Sequence, residues 1–593
     1  MASWGWRTKP RSAIRTVQWY KEFGSLEGRN WDEENIEKES SYNANKIHPI
    51  RRIYNYNAHS DENEQIGLLS LEEYLSGQFD QNEVEGDARN DKTTYEFFGF
   101  GFVDEEGIIR NTQVGKLIIK NKFDNEEFLK QLLKINLPNK TYKPSEIGKW
   151  NVFPMEIVLK VFAELDSLNK YEIVFLFGCI DRKQITKTVE TIKKFKFEYE
   201  KLANKVREVE NLCIKMYEKS FGKMDNKLAS YLDYADALFR SLIYTGLFYS
   251  HGRGNFSKLR ICEHSKLKVK LLTEEYIFLE KKFATVSEYM AWFGDPDSIL
   301  LPWNNVEKRK LLVKEKTDLL RQIKNGNGRY IQKTPKIEKK IEQNLKIIDK
   351  ILNSKTSDTD IKVLEKDIIT FITNLNEENF KEELAYTEKA RAEILERFEC
   401  ILKDDDMSAL WLEVNTWKSL ISIKGEKEVK RNFNIEEDLT PKSFAPGIGN
   451  TPDMELYTDD YIILPEVSLM TGVRQWEHEG SSVIDHVYKF IKDNDEKKVF
   501  GLFISSSINV RTKWQFFILN RESWIGKPVP VIPMTIEMYN DILKFIYEHE
   551  IEICEFINLI IEIHKLSLSS KDFDCWYDNS KDAIKIWKTK NIA

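Results

Sequence analysis

The segment from residue 452 to residue 504 constrains the fold of this chain more than any other stretch. Two apolar runs flank a two-aspartate turn at 459–460, which predicts a β-hairpin. A helical stretch follows from Gly472, and the continuous apolar run 499–504 predicts a buried strand. An apolar helix around Glu413 comes before all of these. The order of helix, strand, hairpin, helix and strand predicts a mixed α/β domain.

Two carboxylates stand at the open end of the predicted hairpin. Asp453 opens its first strand and Glu466 lies near the end of the second, so the returning chain brings them close together. Neighbouring carboxylates repel each other unless a cation joins them, and oxygen ligands suit a hard divalent ion such as Mg²⁺. With the backbone carbonyl of Val467 as a third oxygen, the sequence predicts a magnesium site here.

Further polar residues surround this predicted site. Glu413 lies on the upstream helix, while Glu479 and His486 are seven residues apart on the downstream helix, which places them on one face. Pro-Asp separated by 12 residues from a Glu is the pattern of the PD-(D/E)xK nuclease core, but Ser468 replaces the usual Lys. Because a hydroxyl carries no positive charge, His486 or a second metal ion on Glu413 and Glu479 would have to help activate water. Ordinary surface carboxylates on a hairpin are the alternative.

The distribution of charge fits this interpretation. The chain of 593 residues has a net charge of −7, which by itself argues against nucleic-acid binding because such domains are usually basic. Residues 401–480, however, contain 8 basic and 16 acidic residues, and this −8 leaves the rest of the chain at +1. The acidic window contains the predicted metal ligands, so the net charge does not exclude an enzyme that acts on DNA.

Basic residues are concentrated in two places in the first half of the chain. The first 20 residues contain four basic and no acidic residues among Trp and Tyr side chains, and residues 249–270 contain six basic residues and one acidic. Basic side chains mostly contact phosphates, and Arg can also read guanine. The predicted DNA-binding residues are Arg7, Lys9, Arg11, Arg15, Arg253, Lys258 and Arg260.

Helix and hairpin patterns occur together in the same half. Two apolar runs within residues 95–120 flank a turn at 104–107, which predicts a hairpin, and a helix follows at 125–135. Helical apolar spacing over 228–244 leads into two short strands with basic residues at the turn between them. This is the winged-helix order, in which a helix enters the major groove. A helix packed on an unrelated hairpin is the alternative.

The six cysteines are far apart and form no CxxC pair, which is typical of a reducing compartment. The N-terminus lacks the apolar run of a signal peptide, and the most apolar stretches are too short or too charged to cross a bilayer. We therefore expect a cytoplasmic protein without a membrane partner.

These features resemble the AlwI family of type IIS restriction endonucleases, which includes related site-specific nicking endonucleases. The resemblance extends from about residue 90 to residue 490. The segments that carry it are 101–107, 128–132, 244–248, 449–455 and 466–468. It implies an α+β multidomain protein with a DNA-recognition domain at 1–300 (winged-helix-like subdomains near 90–165 and 187–275), a helical linker at 301–395 and a PD-(D/E)xK-type nuclease domain at 396–593.

The resemblance also implies an activity. A type IIS enzyme of a bacterial restriction-modification system recognises a short asymmetric sequence in double-stranded DNA and hydrolyses phosphodiester bonds a few bases outside it, leaving a 5′-phosphate. The catalytic carboxylates of the family correspond to Glu413, Asp453, Glu466 and Glu479, with His486 following on the same helix. In this family a Val and then Thr or Ser typically follow the core Glu, so Ser468 does not indicate an inactive enzyme.

Several alternatives stay open from the sequence. Because one active site cuts one strand, double-strand cleavage requires a transient homodimer, a small catalytic subunit or sequential binding. The chain is then either a type IIS enzyme in its own right or a strand-specific nicking endonuclease that serves as the large subunit of a heterodimer. A winged-helix regulator without catalytic activity and a helical scaffold protein are the further alternatives. The target sequence is not predicted.

Overall fold

The chain divides into two compact units. The computed structural model describes residues 3–33, 35–36, 46–59, 70–75, 81–141, 151–224, 227–251, 254–326, 331, 333–353, 357–403, 408–433, 435–436, 439–441, 451–472, 475–494, 496–521 and 526–592. The first unit comprises Met1–Glu315 and Ser357–Lys362, and the second comprises Lys316–Thr356 and Val363–Ala593. The predicted linker, 301–395, is mostly helical where it is described and falls partly in each unit. The predicted assignment of functions to three domains stays a prediction.

The first unit is mainly helical, with short hairpins. Its helices are α1 (Ala13–Ser25), α2 (Pro49–His59), α3 (Leu71–Leu75), α4 (Gln81–Phe98), α5 (Gln113–Ile119), α6 (Asn125–Lys134), α7 (Pro154–Phe162), α8 (Lys170–Val174), α9 (Ile185–Glu200), α10 (Lys205–Phe221), α11 (Leu228–Tyr244), α12 (Lys266–Glu275), α13 (Val286–Phe293) and the first part of α14 (Val306–Lys324), with 3-10 turns at Phe175–Gly178, Arg182–Gln184, Gly254–Phe256 and Glu263–Ser265. Its strands form the antiparallel pairs β1 (Asn35–Ile36) with β2 (Lys46–Ile47), β3 (Gly101–Val103) with β4 (Ile109–Asn111), and β5 (Phe248–His251) with β6 (Lys258–Ile261).

The predicted hairpin after residue 95 is shorter than the apolar pattern indicates. The run from Tyr95 to Phe98 forms the end of α4, with its aromatic side chains buried. A short apolar run fits a buried helix end as well as a strand, so the apolar pattern alone does not distinguish the two. Gly99, with φ of +72°, then ends the helix. The turn between β3 and β4 is held by Asp104, whose carboxylate accepts hydrogen bonds from the backbone N–H groups of Glu106 and Ile108 at 3.0 and 2.9 Å.

The predicted helix over 228–244 is α11, and the predicted hairpin follows it as β5 and β6. Gly246 makes the turn between helix and strand, with φ of +71°. A Cβ atom there would lie 2.5 Å from the side-chain nitrogen of Asn125 on α6, so this position requires glycine for both its conformation and its space. The Thr245-Gly246 pair therefore positions the hairpin against α6.

The second unit is an α/β domain. Its helices are the rest of α14, α15 (Pro335–Leu352), α16 (Asp358–Asn379, whose first five residues belong to the first unit), α17 (Glu388–Ile401), α18 (Ser408–Ile421), α19 (Ser481–Asp493), α20 (Val510–Arg521), α21 (Ile536–His549), α22 (Ile553–Ser569) and α23 (Phe573–Lys590), with π-helical segments at Phe380–Leu384 and Gln475–Gly480. Its strands are β7 (Glu428–Arg431), β8 (Met454–Tyr457), β9 (Tyr461–Ser468), β10 (Lys498–Ser505) and β11 (Val531–Thr535).

These five strands form one mixed sheet in the order β11-β10-β9-β8-β7. The pairs β7–β8 and β8–β9 are antiparallel, whereas β9–β10 and β10–β11 are parallel. β9 and β10 are buried over almost their whole length, as the continuous apolar run at 499–504 predicts. Helices pack against the sheet and share one apolar core with it. The predicted order of helix, strand, hairpin, helix and strand is the order from α18 to β10.

Candidate functional site

The pairing of β8 with β9 brings two carboxylates together. Leu456 pairs with Ile463, and this register, continued three residues towards the open end of the hairpin, places Asp453 opposite Glu466. The backbone N–H of Asp453 donates to Glu466 Oε2 at 3.4 Å. Asp453 Oδ2 in turn accepts a hydrogen bond from the backbone N–H of Val467 at 2.9 Å. The structure therefore places these residues side by side at the end of β9, as the hairpin pattern predicts.

A histidine completes this cluster from the neighbouring helix. His486 lies on α19, and its Nδ1 is 2.6 Å from Glu466 Oε1. Both side chains are buried, with exposed fractions of 8% for His486 and 6% for Glu466. Because an ionised carboxylate only accepts hydrogen bonds, the Nδ1 atom carries the hydrogen when Glu466 is ionised. The imidazole thereby fixes the direction in which the Glu466 carboxylate points.

The helix before α19 differs from the sequence expectation. Residues 475–480 form a π-helical segment rather than a regular α-helical turn before α19. The side chain of Glu479 lies outside the described residues. Its role as a metal ligand stays a prediction.

Glu413 lies on α18, as predicted, and its side chain is half-buried. Within the described part of the chain, no three His, Cys, Asp or Glu side chains converge in a group that would hold a metal ion. The structure therefore joins Asp453 and Glu466 directly but does not gather Glu413 with them into a three-ligand set. The predicted roles of Glu413 in metal binding and catalysis stay predictions.

Asn432, which the sequence reasoning missed, holds the loop in front of Asp453. Its backbone N–H donates to the carbonyl of Asp453 at 2.9 Å. Its side-chain amide donates to the carbonyl of Pro452 at 2.8 Å and to Glu455 Oε1 at 2.9 Å. Asn432 directly follows β7 and belongs to no recognisable motif. Only the pairing of β7 with β8 shows its position, so no sequence signal pointed to it.

The donor set suits a hard cation. Asp453 and Glu466 present carboxylate oxygens from adjacent positions, and Val467 adds a backbone carbonyl at the same strand end. Oxygen ligands of this kind are those that Mg²⁺ and similar divalent ions prefer. The described residues thus fit a divalent metal ion, because two carboxylates with suitable oxygen ligands lie close together.

Comparison with known proteins shows the family of this chain. The model of the AlwI restriction endonuclease family matches residues 98–542, which is most of the chain. The chain belongs to the AlwI restriction endonuclease family. It is therefore a type II site-specific deoxyribonuclease, a hydrolase that acts on DNA, and enzymes of this kind generally use a divalent metal ion.

Other comparisons with this AlwI-family enzyme are weaker. Among solved structures, the small subunit of the heterodimeric restriction endonuclease R.BspD6I is 20% identical and matches with a TM-score of 0.28. That match covers 34% of the AlwI-family chain and 98% of the small subunit. None of the curated proteins matches the sequence. No helix within the described ranges combines the length and apolarity needed to cross a membrane.

Arg7, Lys9 and Arg11, three of the predicted DNA-binding residues of the AlwI-family enzyme, lie on a non-helical segment before α1 that buried tryptophans anchor. Trp4 and Trp6 are buried, so the aromatic residues among the basic ones serve the core. Arg7 and Lys9 line a cavity of about 580 Å³. Its other lining residues are Gly5, Trp6, Thr8, Asn90, Thr93, Thr94, Thr141 and Tyr234.

Two basic residues of this segment already form ion pairs within the protein. Lys9 Nζ lies 2.9 Å from Asp87 Oδ1, and a nitrogen of the Arg11 guanidinium lies 2.9 Å from Asp233 Oδ1. These pairs are largely exposed and so contribute little to stability. Arg15 is exposed in the first turns of α1. Such cations remain accessible to a phosphate.

The second basic cluster lies on the β5–β6 hairpin. In the strand register, Lys258 is opposite His251 next to the turn, and Arg260 is opposite Tyr249. The Lys258 side chain is exposed and the Arg260 side chain is half-buried. Arg253, in the turn, lies outside the described residues. The structure thus places two of the three predicted residues on one strand that follows helix α11.

Proposed function

We propose that this AlwI-family restriction enzyme is a type IIS endonuclease whose nuclease site is built on Asp453, Glu466 and the carbonyl of Val467. Its second unit would be a PD-(D/E)xK-type core, and the products would carry a 5′-phosphate. The metal ion would be Mg²⁺, the usual biological ion for such oxygen ligands. Glu413 and Glu479 are the proposed ligands of a second ion.

One observation carries this proposal: Glu466 is buried between the Asp453 backbone and the His486 ring. Burying a carboxylate costs free energy unless it is hydrogen-bonded or paired. An arrangement that keeps the buried Glu466 beside a second carboxylate is therefore typical of a functional site. The order of elements from α18 to β10 supports the same interpretation, because it matches the order of the nuclease core.

The chain's own residues have distinct tasks in the proposed reaction. Asp453 and Glu466 would hold the cation, and the Val467 N–H orients the Asp453 carboxylate. The His486 Nδ1 orients Glu466, and the neutral ring that donates from Nδ1 has Nε2 as its basic nitrogen, suited to align a water hydrogen or to contact a phosphate. A bound divalent cation supplies Lewis acidity for water activation and neutralises phosphate charge.

The proposed recognition surface is in the first unit. The N-terminal segment with Arg7, Lys9, Arg11 and Arg15 would contact phosphates or base edges. The helix–hairpin pair formed by α11, β5 and β6 would act as a winged helix, with Arg253, Lys258 and Arg260 on the wing. The exposure of Lys9, Arg11, Arg15 and Lys258 and the order of helix before hairpin support this assignment. Double-strand cleavage would require a second copy or a small catalytic subunit.

The test uses two matched substitutions on one hairpin. Asp453→Asn removes a ligand charge at the open end, whereas Asp459→Asn changes an exposed aspartate at the turn. With plasmid or bacteriophage DNA and Mg²⁺, we expect the Asp453 variant to lose cleavage and to keep its binding to DNA. The Asp459 variant should cut normally. Full cleavage by Asp453→Asn would exclude this site.

A further inference from the structure

The second unit has an aromatic surface that the proposed cleavage site does not use. It surrounds a cavity of about 560 Å³ and consists of Trp476, Val510, Arg511, Trp514 and Phe573, which we call the α20 surface. Trp514 is 47% exposed and Val510 is 56% exposed. A tryptophan is one of the most costly side chains to leave in water, so its exposure beside a second tryptophan indicates a binding surface.

The α20 surface lies at the same edge of the sheet as Glu466. β9 and β10 are parallel and end together, with Ser468 paired to Ser505. The buried Gln475 connects the ends of both strands, since its amide donates to the Met470 carbonyl at 2.9 Å and to Ser505 Oγ at 2.9 Å. Its Oε1 accepts from the Asn509 N–H at 2.7 Å, directly before α20 begins. Ligands of such sheets bind at the carboxyl ends of the parallel strands.

Arg511 gives this surface a cation that can contact an anionic ligand. Helix α20 contains three basic residues and no acidic one. Lys513 is paired with Asp574 at 3.3 Å, and Arg521 donates to the Ser570 carbonyl at 2.8 Å. The Arg511 guanidinium lies 5.6 Å from the Trp476 ring centre and has no ion pair with a carboxylate in the described ranges.

Trp476 also has an unused donor. Its indole Nε1–H finds no hydrogen-bond acceptor among the described residues, although the atom is buried. A ligand with an acceptor oxygen or nitrogen would satisfy it. Aromatic rings, a nearby arginine and an available indole donor together are the features with which proteins bind exposed nucleobases and their phosphates.

We propose that the α20 surface stacks an unpaired nucleobase of the DNA strand on Trp514 beside the cleavage site, with Arg511 contacting a phosphate. This rests on the proposed function, which places cleavage at Asp453 and Glu466. An apolar protein surface fits less well, because it would cover Arg511 and leave its charge uncompensated. The bound strand would hold the neighbouring phosphodiester at the carboxylates.

Photo-crosslinking tests the contact directly on the full-length protein. The probe is a single strand of roughly 16 nucleotides in which 5-iododeoxyuridine replaces the thymidines. Irradiation without Mg²⁺ should attach it to the tryptic peptide 514–521, which begins with Trp514. Crosslinks only to peptides of the first unit would overturn the proposal.

Binding measurements with matched variants complete the test. Trp514→Ala should weaken binding of the same single strand about tenfold, and Arg511→Gln should lower the dependence of affinity on salt. Ile586→Ala, which removes another side chain that is 68% exposed, should change neither. Unchanged DNA affinity in both α20 variants would overturn the proposal. A loss only of self-association would overturn it too and would assign the surface to a second copy of the chain.

These readouts are separate from the test of the cleavage site. If Asp453→Asn still cuts DNA while Trp514→Ala binds poorly, the nuclease assignment fails and the stacking surface stands as a DNA contact. If Asp453→Asn is inactive and Trp514→Ala binds normally, the stacking surface fails and the nuclease assignment stands.

Discussion

Glu466 Oε1 and His486 Nδ1 lie 2.6 Å apart, although 20 residues and a change of secondary structure separate them. Glu466 belongs to strand β9 and His486 to helix α19. Both are buried, so water competes little for this hydrogen bond. The contact makes the position of the Glu466 carboxylate depend on how α19 packs against the sheet.

Replacing His486 should therefore slow DNA cleavage without weakening DNA binding. In His486→Ala, the Glu466 carboxylate loses the donor that orients it, and losses of roughly 10–100-fold are typical for such partners of metal ligands. Asp485→Asn changes the exposed neighbour on the same helix and serves as the control. Single-turnover cleavage and a gel-shift assay measure the two effects. An Ala variant that cuts at the normal rate would contradict the positioning role.

The paired carboxylates should also make the stability of the second unit depend on divalent ions. Asp453 and Glu466 repel each other when both are ionised, so a bound ion stabilises the folded state. At about 100 times its dissociation constant, an ion adds roughly 2.7 kcal/mol to the free energy of unfolding. We expect Mg²⁺ to raise the melting temperature measured by calorimetry, and EDTA to reverse the shift. Asp453→Asn should abolish it, and a wild-type melting temperature indifferent to Mg²⁺ without DNA would count against a preformed metal site.

A second prediction of stability concerns a buried carboxylate in the first unit. Glu126 is 7% exposed and accepts from the Trp303 indole at 3.0 Å and from Arg309 at 3.1 Å. Lys268 and Lys362 lie 3.2 and 3.1 Å from its oxygens. Burial alone raises the pKa of Glu126, but these three cations outweigh it and hold the pKa well below its ordinary value of 4.5.

Glu126→Gln should accordingly destabilise the first unit by about 3–5 kcal/mol near pH 7, since it removes the buried negative charge that Arg309, Lys268 and Lys362 share. A lowered folded-state pKa contributes stability above the ordinary pKa and loses it as pH falls. The difference in melting temperature between wild type and variant should therefore shrink below about pH 4.5. Glu307→Gln, at a side chain that is 84% exposed, is the control. A difference independent of pH would disprove the electrostatic explanation.

Glycine substitutions distinguish a required turn from an ordinary helical position. Gly246→Ala forces a side chain into a left-handed backbone and against Asn125, so we expect a loss of about 1–3 kcal/mol in the free energy of unfolding. Gly86→Ala lies within α4 and meets only Arg89 at 3.9 Å, and should stabilise the protein by about 0.5–1 kcal/mol. Thermal denaturation of both variants checks the signs, and equal effects would contradict the proposed role of Gly246.

Local patterns predicted much of the fold. The helix over 228–244, the hairpin around Asp459 and the buried strand at 499–504 follow from apolar spacing and turn residues within a few positions of each other. The closeness of Asp453 and Glu466 also follows from the sequence, because a hairpin relates its two strands by a fixed register. The apolar run at Tyr95–Phe98 was ambiguous, since burial suits either a strand or a helix end.

The sequence by itself determined the residue types of the site and the hairpin that joins two of them. Tertiary structure alone decided that His486 reaches Glu466, that Asn432 holds the loop before Asp453, and that Trp514 shares a sheet edge with the carboxylates. Those relationships depend on how helices and strands distant in sequence pack together. Packing is set by the summed burial of many apolar side chains, so no short motif encodes it.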